Sequence, residues 1–310
     1  MRNATAAYGA VFIGVCGHSS SEFFAVLSGV AGPEVSVWRY VLGGAGLLAV
    51  ALCLRSSRDL WSPLRDRFWA ILALSFFGVS LPYLFFHWAL DFATIVQVGT
   101  LVTTMPIFVG LTSLAVYKMP FTVPKILSGV CAIIGISLLL TDGYLARLAG
   151  SQDSLFGIGL ALLCAVGGSA YAVLVRPLIN EYGAIRMTAI TMSIGGLCLW
   201  ILVGTAWNVW VNPFSIFQRP PVETWSLLTI AFWNTTLTQL FWLWGLANVP
   251  DITRGSYLFF LKPVITALLA LLILAQPITW VQVLAIIVVC SSVFAELIWP
   301  RFAARLASAR

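Results

Sequence analysis

SYLFFLKPVITALLALLILAQPIT, residues 256–279, is an apolar run interrupted by a lysine, Lys262, and a proline, Pro263. About 20 apolar residues in helical conformation cross the hydrocarbon core of a bilayer, so the run is long enough to span. A charged side chain at that depth costs about 3 kcal/mol on insertion scales and marks a functional site by default. The proline removes a backbone donor beside the charge and bends the helix there. Residues 98–122, VGTLVTTMPIFVGLTSLAVYKMPFT, are its twin: Pro106, Pro120 and Thr122 fall 157 positions before Pro263, Pro277 and Thr279. Three matches at one offset predict a duplication. Met105 stands where the second copy has Lys262. The shared pattern therefore reads as scaffold and the unshared lysine as function.

Composition agrees with a membrane chain. Of 310 residues, 60% are hydrophobic and 9% charged, against about 25% charged in soluble domains. The net charge of +6 does not point to nucleic acid, because the basic residues sit between apolar runs, where they set topology. Cys16, Cys53, Cys131, Cys164, Cys198 and Cys290 all lie within apolar runs, with no CxxC spacing. They read as small packing residues, with no metal site and no disulfide framework implied. Gly43, Gly44, Gly46, Gly157, Gly159, Gly167 and Gly168 read as close-approach points between helices. Nothing resembles a nucleotide-binding loop, and no cofactor is expected. The first apolar run reads as a retained helix, not a signal peptide.

Ten apolar spans are expected, near 8–30, 34–54, 68–90, 93–117, 122–141, 155–178, 187–207, 223–247, 252–275 and 278–299. The fold class is all-α and polytopic, ten transmembrane helices in two repeats of five. The first repeat is 1–142, a connecting loop 143–154, the second repeat 155–300, and a basic cytoplasmic tail 301–310. Five spans per copy is an odd number, so the second copy inserts upside down. With the N-terminus inside, the cytoplasmic segments hold Arg2, Arg55, Arg58, Arg65, Arg67, Lys118, Lys125, Arg176, Arg186, Arg254, Arg301, Arg305 and Arg310. The other side holds only Arg147 and Arg219. The positive-inside rule then places both termini in the cytoplasm. Inverted repeats are a hallmark of secondary transporters with a midplane site between the halves.

Several motifs now combine in order. Thr104-Met105-Pro106 and Leu261-Lys262-Pro263 are each followed by a leucine-rich run. Pro120-Phe121-Thr122 and Pro277-Ile278-Thr279 open the fifth span of each half, and Pro33 precedes Arg39 in the second span. Across nearly its whole length the chain resembles the EamA-type members of the drug/metabolite transporter superfamily. The resemblance implies a ten-helix carrier, not an enzyme, with helices 1–4 and 6–9 around a central cavity and helices 5 and 10 peripheral. Relatives move amino acids, other metabolites, nucleotide sugars or drugs. Where the family often has Trp-Gly or Trp-Ser in the first span, this chain reads Cys16-Gly17-His18-Ser19-Ser20-Ser21-Glu22.

The candidate substrate-binding residues are His18, Glu22, Arg39, Tyr83, Tyr171, Asn234, Gln239, Tyr257 and Lys262. Pro82, Pro106 and Pro263 are the expected kinks. His18 and Glu22 are four apart, hence on one helical face, and suit substrate binding or a proton relay. Glu22 can equally neutralise Arg39, expected within about two helical turns of it. Lys262 either contacts a substrate carboxylate or phosphate or serves as counter-ion to Glu22. His87 reads as interfacial. Thr103 and Thr104 are expected to satisfy carbonyls freed by Pro106. Asn234 and Gln239 are polar enough to face the bundle interior, with Tyr171 and Tyr257 as aromatic walls. The expected function is secondary transport by alternating access, outward across an inner (cell) membrane. The expected cargo is a small polar or amphipathic metabolite, amino-acid-like or carboxylate-bearing, with protons as candidate coupling ion. The alternative is a multidrug or cation exporter; an intramembrane enzyme is a remote one. The oligomeric state is left open between monomer and homodimer.

Overall fold

The computed structural model describes residues 4–93, 95–119, 123–141, 152–274 and 279–291. Arg2, Pro120, Phe121, Thr122, Arg147, Pro277, Ile278, most of the connecting loop and the tail 301–310 lie outside the described residues. Among the described residues every regular element is a helix. In chain order they are α1 (Ala4–Leu27), α2 (Gly32–Cys53), α3 (Trp61–Ala89), α4 (Gln97–Tyr117), α5 (Val123–Thr141), α6 (Leu155–Tyr182), α7 (Ala184–Trp207), α8 (221–248), α9 (Ile252–Leu269) and α10 (Trp280–Ser291). Among the described residues α1, α2, α3, α4, α6, α7 and α9 are long and apolar enough to cross a membrane. α8 is long but carries Asn234, Thr235, Thr236, Thr238 and Gln239 at its centre. α3 begins before the expected span, at Trp61, and bends at Arg67 (φ −135°, ψ 30°).

The helices are broken in matching places. α3 passes through a π-helical turn at Leu74–Ser80 and α8 through one at Phe232–Leu237. α4 restarts at Met105 after a turn at Thr103 and Thr104, and α9 restarts at Lys262 after the 3-10 turn Tyr257–Leu261. Pro82, Pro106 and Pro263 each stand second in the restarting α-helix, where a missing N–H costs least. No proline accompanies the break in α8. There the hydroxyls of Thr235 and Thr236 donate to the carbonyls of Ile230 and Ala231, 3.0 and 3.2 Å away. A π turn leaves carbonyls without helical partners, and side-chain hydroxyls must supply them where water is scarce. The Thr103 hydroxyl donates to the Gly99 carbonyl, and that of Thr104 to Leu101 at 2.6 Å. Both carbonyls also accept from the backbone N–H of the same threonine, so the hydroxyls reinforce the turn before Pro106 instead of serving the carbonyl of Val102, four residues before the proline.

The packing is unchanged when the two halves are exchanged. α1 lies along α8 as α6 lies along α3; α1 touches α9 as α6 touches α4; and α2 and α7 pack on each other at the centre. The π turns contribute the same contact twice. Ser80 of α3 donates to the Gly195 carbonyl of α7 at 2.8 Å, and Thr236 of α8 donates to the Gly43 carbonyl of α2 at 3.0 Å. Glycine is required at this crossing because backbone meets backbone. A Cβ on Gly196 would stand 2.5 Å from the Tyr40 carbonyl oxygen, and one on Gly44 3.0 Å from Ser193 Cα. The close-approach reading of these glycines therefore stands, but not that of Gly159, whose Cβ would meet nothing within 4 Å. α5 and α10 lie against each other, with Gly135 facing Ala285 and Val289.

Overpacking a fitted helix crossing costs about 1–3 kcal/mol. Gly196→Val should thus lower the thermal unfolding temperature of the detergent-solubilised protein. Gly159→Val, whose Cβ would meet nothing within 4 Å, should change it far less. Equal effects would mean that the α2–α7 crossing is not a tight contact.

Candidate functional site

The breaks in α1, α3, α4 and α9 bring polar side chains to one level of the bundle. α1 is itself interrupted: one helix runs Ala4–Ser19, a second Ser21–Leu27, with Ser20 between them. His18 and Glu22 consequently do not share an unbroken helical face. Lys262 lies between their surroundings. It pairs with Glu22, the two side chains being 5% and 6% exposed. Ser21 donates to the other Glu22 oxygen at 3.1 Å. The Lys262 ammonium also lies 5.5 Å from the Phe86 ring centroid and 5.7 Å from that of Phe259. Phe259 is three residues before Lys262, and in a 3-10 turn such residues eclipse one another.

Arg39 does not pair with Glu22, which corrects one of the two expected partnerships. Lys262 takes that carboxylate, and Arg39 of α2 turns toward α8 and α3. Its Nε donates to Thr235 Oγ1 at 2.9 Å and its Nη2 to the Asn234 carbonyl at 3.0 Å. Its Nη1 lies 3.4 Å from His87 Nε2. The rings of Tyr40 and Tyr83 each lie 5.5 Å from the guanidinium carbon. Among the described residues no carboxylate pairs with Arg39. His87 is likewise not interfacial but 1% exposed. Its Nδ1 is 2.9 Å from the Tyr83 carbonyl and 2.8 Å from Ser36 Oγ. A carbonyl can only accept, so Nδ1 carries the proton and Nε2 offers its lone pair to Arg39.

A central cavity of about 30 Å³ lies between these groups, room for roughly two water molecules. His18, Arg39, Tyr83 and Lys262 of the expected residues line it, beside Pro82. Glu22, Lys262 and Pro263 line a second cavity of about 60 Å³ with Thr103 and Thr266. Tyr171, Asn234, Gln239 and Tyr257 stand outside the central lining and hold its walls. The Tyr171 hydroxyl shares a hydrogen bond with Thr191 at 2.7 Å. Asn234 Nδ2 donates to the Gly17 carbonyl and to Ser20 Oγ, tying α8 to the break in α1. Gln239 Nε2 donates to Tyr83 Oη at 2.6 Å, and the Tyr257 hydroxyl donates to the Lys125 carbonyl. Ser21, Val102 and Gly168 also line the central cavity, as do Phe86, Trp242, Phe259, Met105 and Cys164. Sequence reasoning singled out none of these five as a site residue. The signal was available for Phe86, on one face with Pro82 and Tyr83, and for Phe259, three before Lys262.

Both ends of the cavity are tied. At the starts of α5 and α9, Lys125 pairs with Asp251 at 2.6 Å, and Arg176 of α6 donates to the Val249 carbonyl at 2.7 Å. Tyr117, at the end of α4, donates to the Val173 carbonyl at 2.9 Å. At the start of α8, Arg219 pairs with Glu34 of α2 and with Glu223 at 2.9 Å, and lies 5.0 Å from the Trp38 ring centroid. α8 runs from the second group to the first.

Residues 5–141 and 155–296, one after the other, each match the EamA-like transporter family. The chain belongs to that family. Its membership accounts for both halves and makes this a multi-pass membrane protein of a transporter family. The EamA-like chain is 26% identical over 84% of its length to the uncharacterized transporter YetK of Bacillus subtilis strain 168, covering 76% of that protein. It is 24% identical over 82% of its length to the uncharacterized transporter YyaM of the same organism, covering 80% of it. An uncharacterized transporter of Archaeoglobus fulgidus is 24% identical over 76% of this chain and 78% of its own length. One solved crystal structure superposes with a TM-score of 0.79 over 97% of this chain and 99% of the other, at 17% identity. That likeness is one of fold.

The Lys262–Glu22 pair sets a stability test. Removing one partner of a buried ion pair costs about 3–5 kcal/mol, because the other charge is left uncompensated, whereas replacing both is often near neutral. Glu22→Gln and Lys262→Met should each lower the unfolding temperature clearly, and the double variant less than the sum of the two. Additive losses would show that the two side chains do not interact in the folded protein.

Proposed function

We propose that the protein is a secondary carrier of small carboxylate-bearing metabolites, amino-acid-like or amphipathic, working outward across a cell membrane by alternating access. All of α1 to α10 cross the bilayer in this reading, in two inverted repeats, 1–142 and 155–300, with both termini cytoplasmic. The single observation that carries it is the central cavity. Cationic side chains from both halves, Arg39 of α2 and Lys262 of α9, line one buried space. Burying such charges is costly, and ionisable groups kept inside a membrane bundle mark a substrate or ion pathway. The carboxylate of a substrate meets Arg39 there, beside the Lys262–Glu22 pair, with Tyr83 and His18 as hydrogen-bonding walls. Tyr171, Asn234, Gln239 and Tyr257 position those walls, and Pro82, Pro106 and Pro263 sit where helices bend as the halves move. A proton is the candidate coupling ion. His18 faces the cavity, while Glu22 is engaged by Lys262.

The contracted cavity supports alternating access in its own way. It holds roughly two water molecules, and side-chain ties close both ends. A metabolite enters only when one set of ties is released. The test is counterflow in liposomes loaded with a panel of labelled carboxylates and amino acids. At least one carboxylate should exchange saturably, and Arg39→Gln should cut that exchange tenfold or more. Saturable exchange of hydrophobic cations alone would replace the reading with drug export, and exchange of neither class would retire it.

A further inference from the structure

The Arg39 guanidinium has five N–H donors. Three are engaged, by Thr235, the Asn234 carbonyl and His87 Nε2. One donor on each terminal nitrogen is left, and the side chain lines the central cavity while 1% exposed. Two such donors on neighbouring nitrogens match the two oxygens of one carboxylate. His87 holds the group in place. Its Nδ1 proton is committed to the Tyr83 carbonyl, so the imidazole meets Arg39 as an acceptor and not as a second cation.

The charge of the site can be counted. Arg39 and Lys262 contribute two positive charges, and Glu22, paired with Lys262, contributes the one negative charge. None of the described residues that line the central cavity is acidic. The site is therefore left with one positive charge, on Arg39. In a low-dielectric interior an uncompensated charge favours a ligand of opposite sign and equal magnitude. A ligand ammonium group would find the Glu22 carboxylate already taken. Apart from Ser21, His18 and Tyr83, the rest of the lining is apolar, with the rings of Phe86, Trp242 and Phe259 and the flexible Met105 beside them. Trp242 and Phe259 lie 5.2 Å apart, and His18 presents its ring edge-on to both at 5.7 and 5.6 Å.

We propose that the central cavity takes a monoanion with an aromatic body and no ammonium group, its carboxylate received by Arg39 and its ring by Phe86, Trp242 and Phe259. The inference rests on the carrier reading above and narrows its substrate class. It makes Arg39 the ligand's anion anchor and Lys262 the neutralised partner of Glu22. A ring fits only once the contracted cavity widens, and Met105, an unbranched side chain that adapts its shape, is the wall best able to yield.

Four related probes separate the terms: phenylpyruvate, pyruvate, which lacks the ring, phenylalanine, which adds the ammonium group, and phenethylamine, which is a cation. Phenylpyruvate should raise the unfolding temperature of the purified protein saturably, since a ligand of the folded state stabilises by mass action. Pyruvate and phenylalanine should bind at least tenfold more weakly, and phenethylamine should give no saturable shift. Arg39→Gln should abolish the phenylpyruvate shift. Glu22→Gln leaves two positive charges, so it should favour the dianion phenylmalonate over phenylpyruvate, reversing the wild-type order. This second variant carries the test if Arg39→Gln fails to fold. Phenylalanine or phenethylamine binding as well as phenylpyruvate, no phenylpyruvate shift, or no reversal in Glu22→Gln would each overturn the inference. Counterflow keeps the two readings apart. Stabilisation by phenylalanine with flux of phenylalanine sinks the inference and leaves the carrier standing. Stabilisation by phenylpyruvate without flux of any carboxylate leaves the site and sinks the carrier.

Discussion

A lysine and a glutamate buried against each other in an apolar bundle hold α9 to α1 and fix what the remaining charges can do. Neither Lys262 nor Glu22 is tolerable alone at that depth, since each loses its hydration and would stand uncompensated. Paired, they become a neutral strut between the two halves. The pair also decides the fate of Arg39. With the nearby carboxylate taken, the guanidinium is stabilised by a hydroxyl, a backbone carbonyl, an imidazole nitrogen and two tyrosine rings. All of these are neutral, so they hold the arginine without cancelling its charge.

The backbone obeys the same requirement as the side chains. In a low-dielectric slab each carbonyl released by a helix break must find a donor. The two π turns solve this with their own hydroxyls, Ser80 donating to the Ser75 carbonyl and Thr236 to that of Ala231, and the same hydroxyls reach across to Gly195 and Gly43. Each bond across joins an outer helix of one half to the central helix of the other. The breaks are thus not weak points in single helices but the places where the halves are sewn together. Glycine at the receiving carbonyls lets the backbones come close enough for the bonds to form. The serine and glycine patches of this sequence are parts of one device for that reason.

The scaffold was legible because its signals are periodic and local. Apolar runs of membrane length, the prolines at one offset and the small-residue patches gave the duplication, the helical class and the kinks directly. The crossing of α8 is less plain, since that helix is polar at its centre. Side-chain partners were harder to read, because they depend on rotation about helix axes that sequence spacing only approximates. The expectation that His18 and Glu22 share a face assumed an unbroken α1, and the interruption at Ser20 removes it. The placement of Arg39 beside Glu22 used depth alone and had no way to weigh Lys262 as the nearer partner. His87 was assigned to the interface because it stands next to a tryptophan near the end of a span. In the folded chain the same position is where α2 and α3 meet at Gly32 and Ser36. A Cβ on Gly32 would collide with the His87 carbonyl, and that closeness is invisible in a linear pattern.

The two ends of the bundle are closed by ties of different kinds, and this bears on how the halves can part. At the α5–α9 end Lys125 and Asp251 are 6% and 18% exposed, and the Tyr257 hydroxyl and the Arg176 guanidinium donate to main-chain carbonyls beside them. At the α2–α8 end Arg219, Glu34 and Glu223 are between 21% and 25% exposed and are joined through side chains, and the Gly32 N–H, two residues before Glu34, donates to Asp91 Oδ1 at 3.1 Å. Part-exposed ion pairs contribute little, because water competes for the same charges. The two ends of the bundle are thus tied by different groups, although the helices around them are near copies. The duplication supplies the symmetry of the fold, and the unduplicated charges, Lys262, Glu22, Arg39 and Arg219 among them, make its two ends and its central cavity unlike.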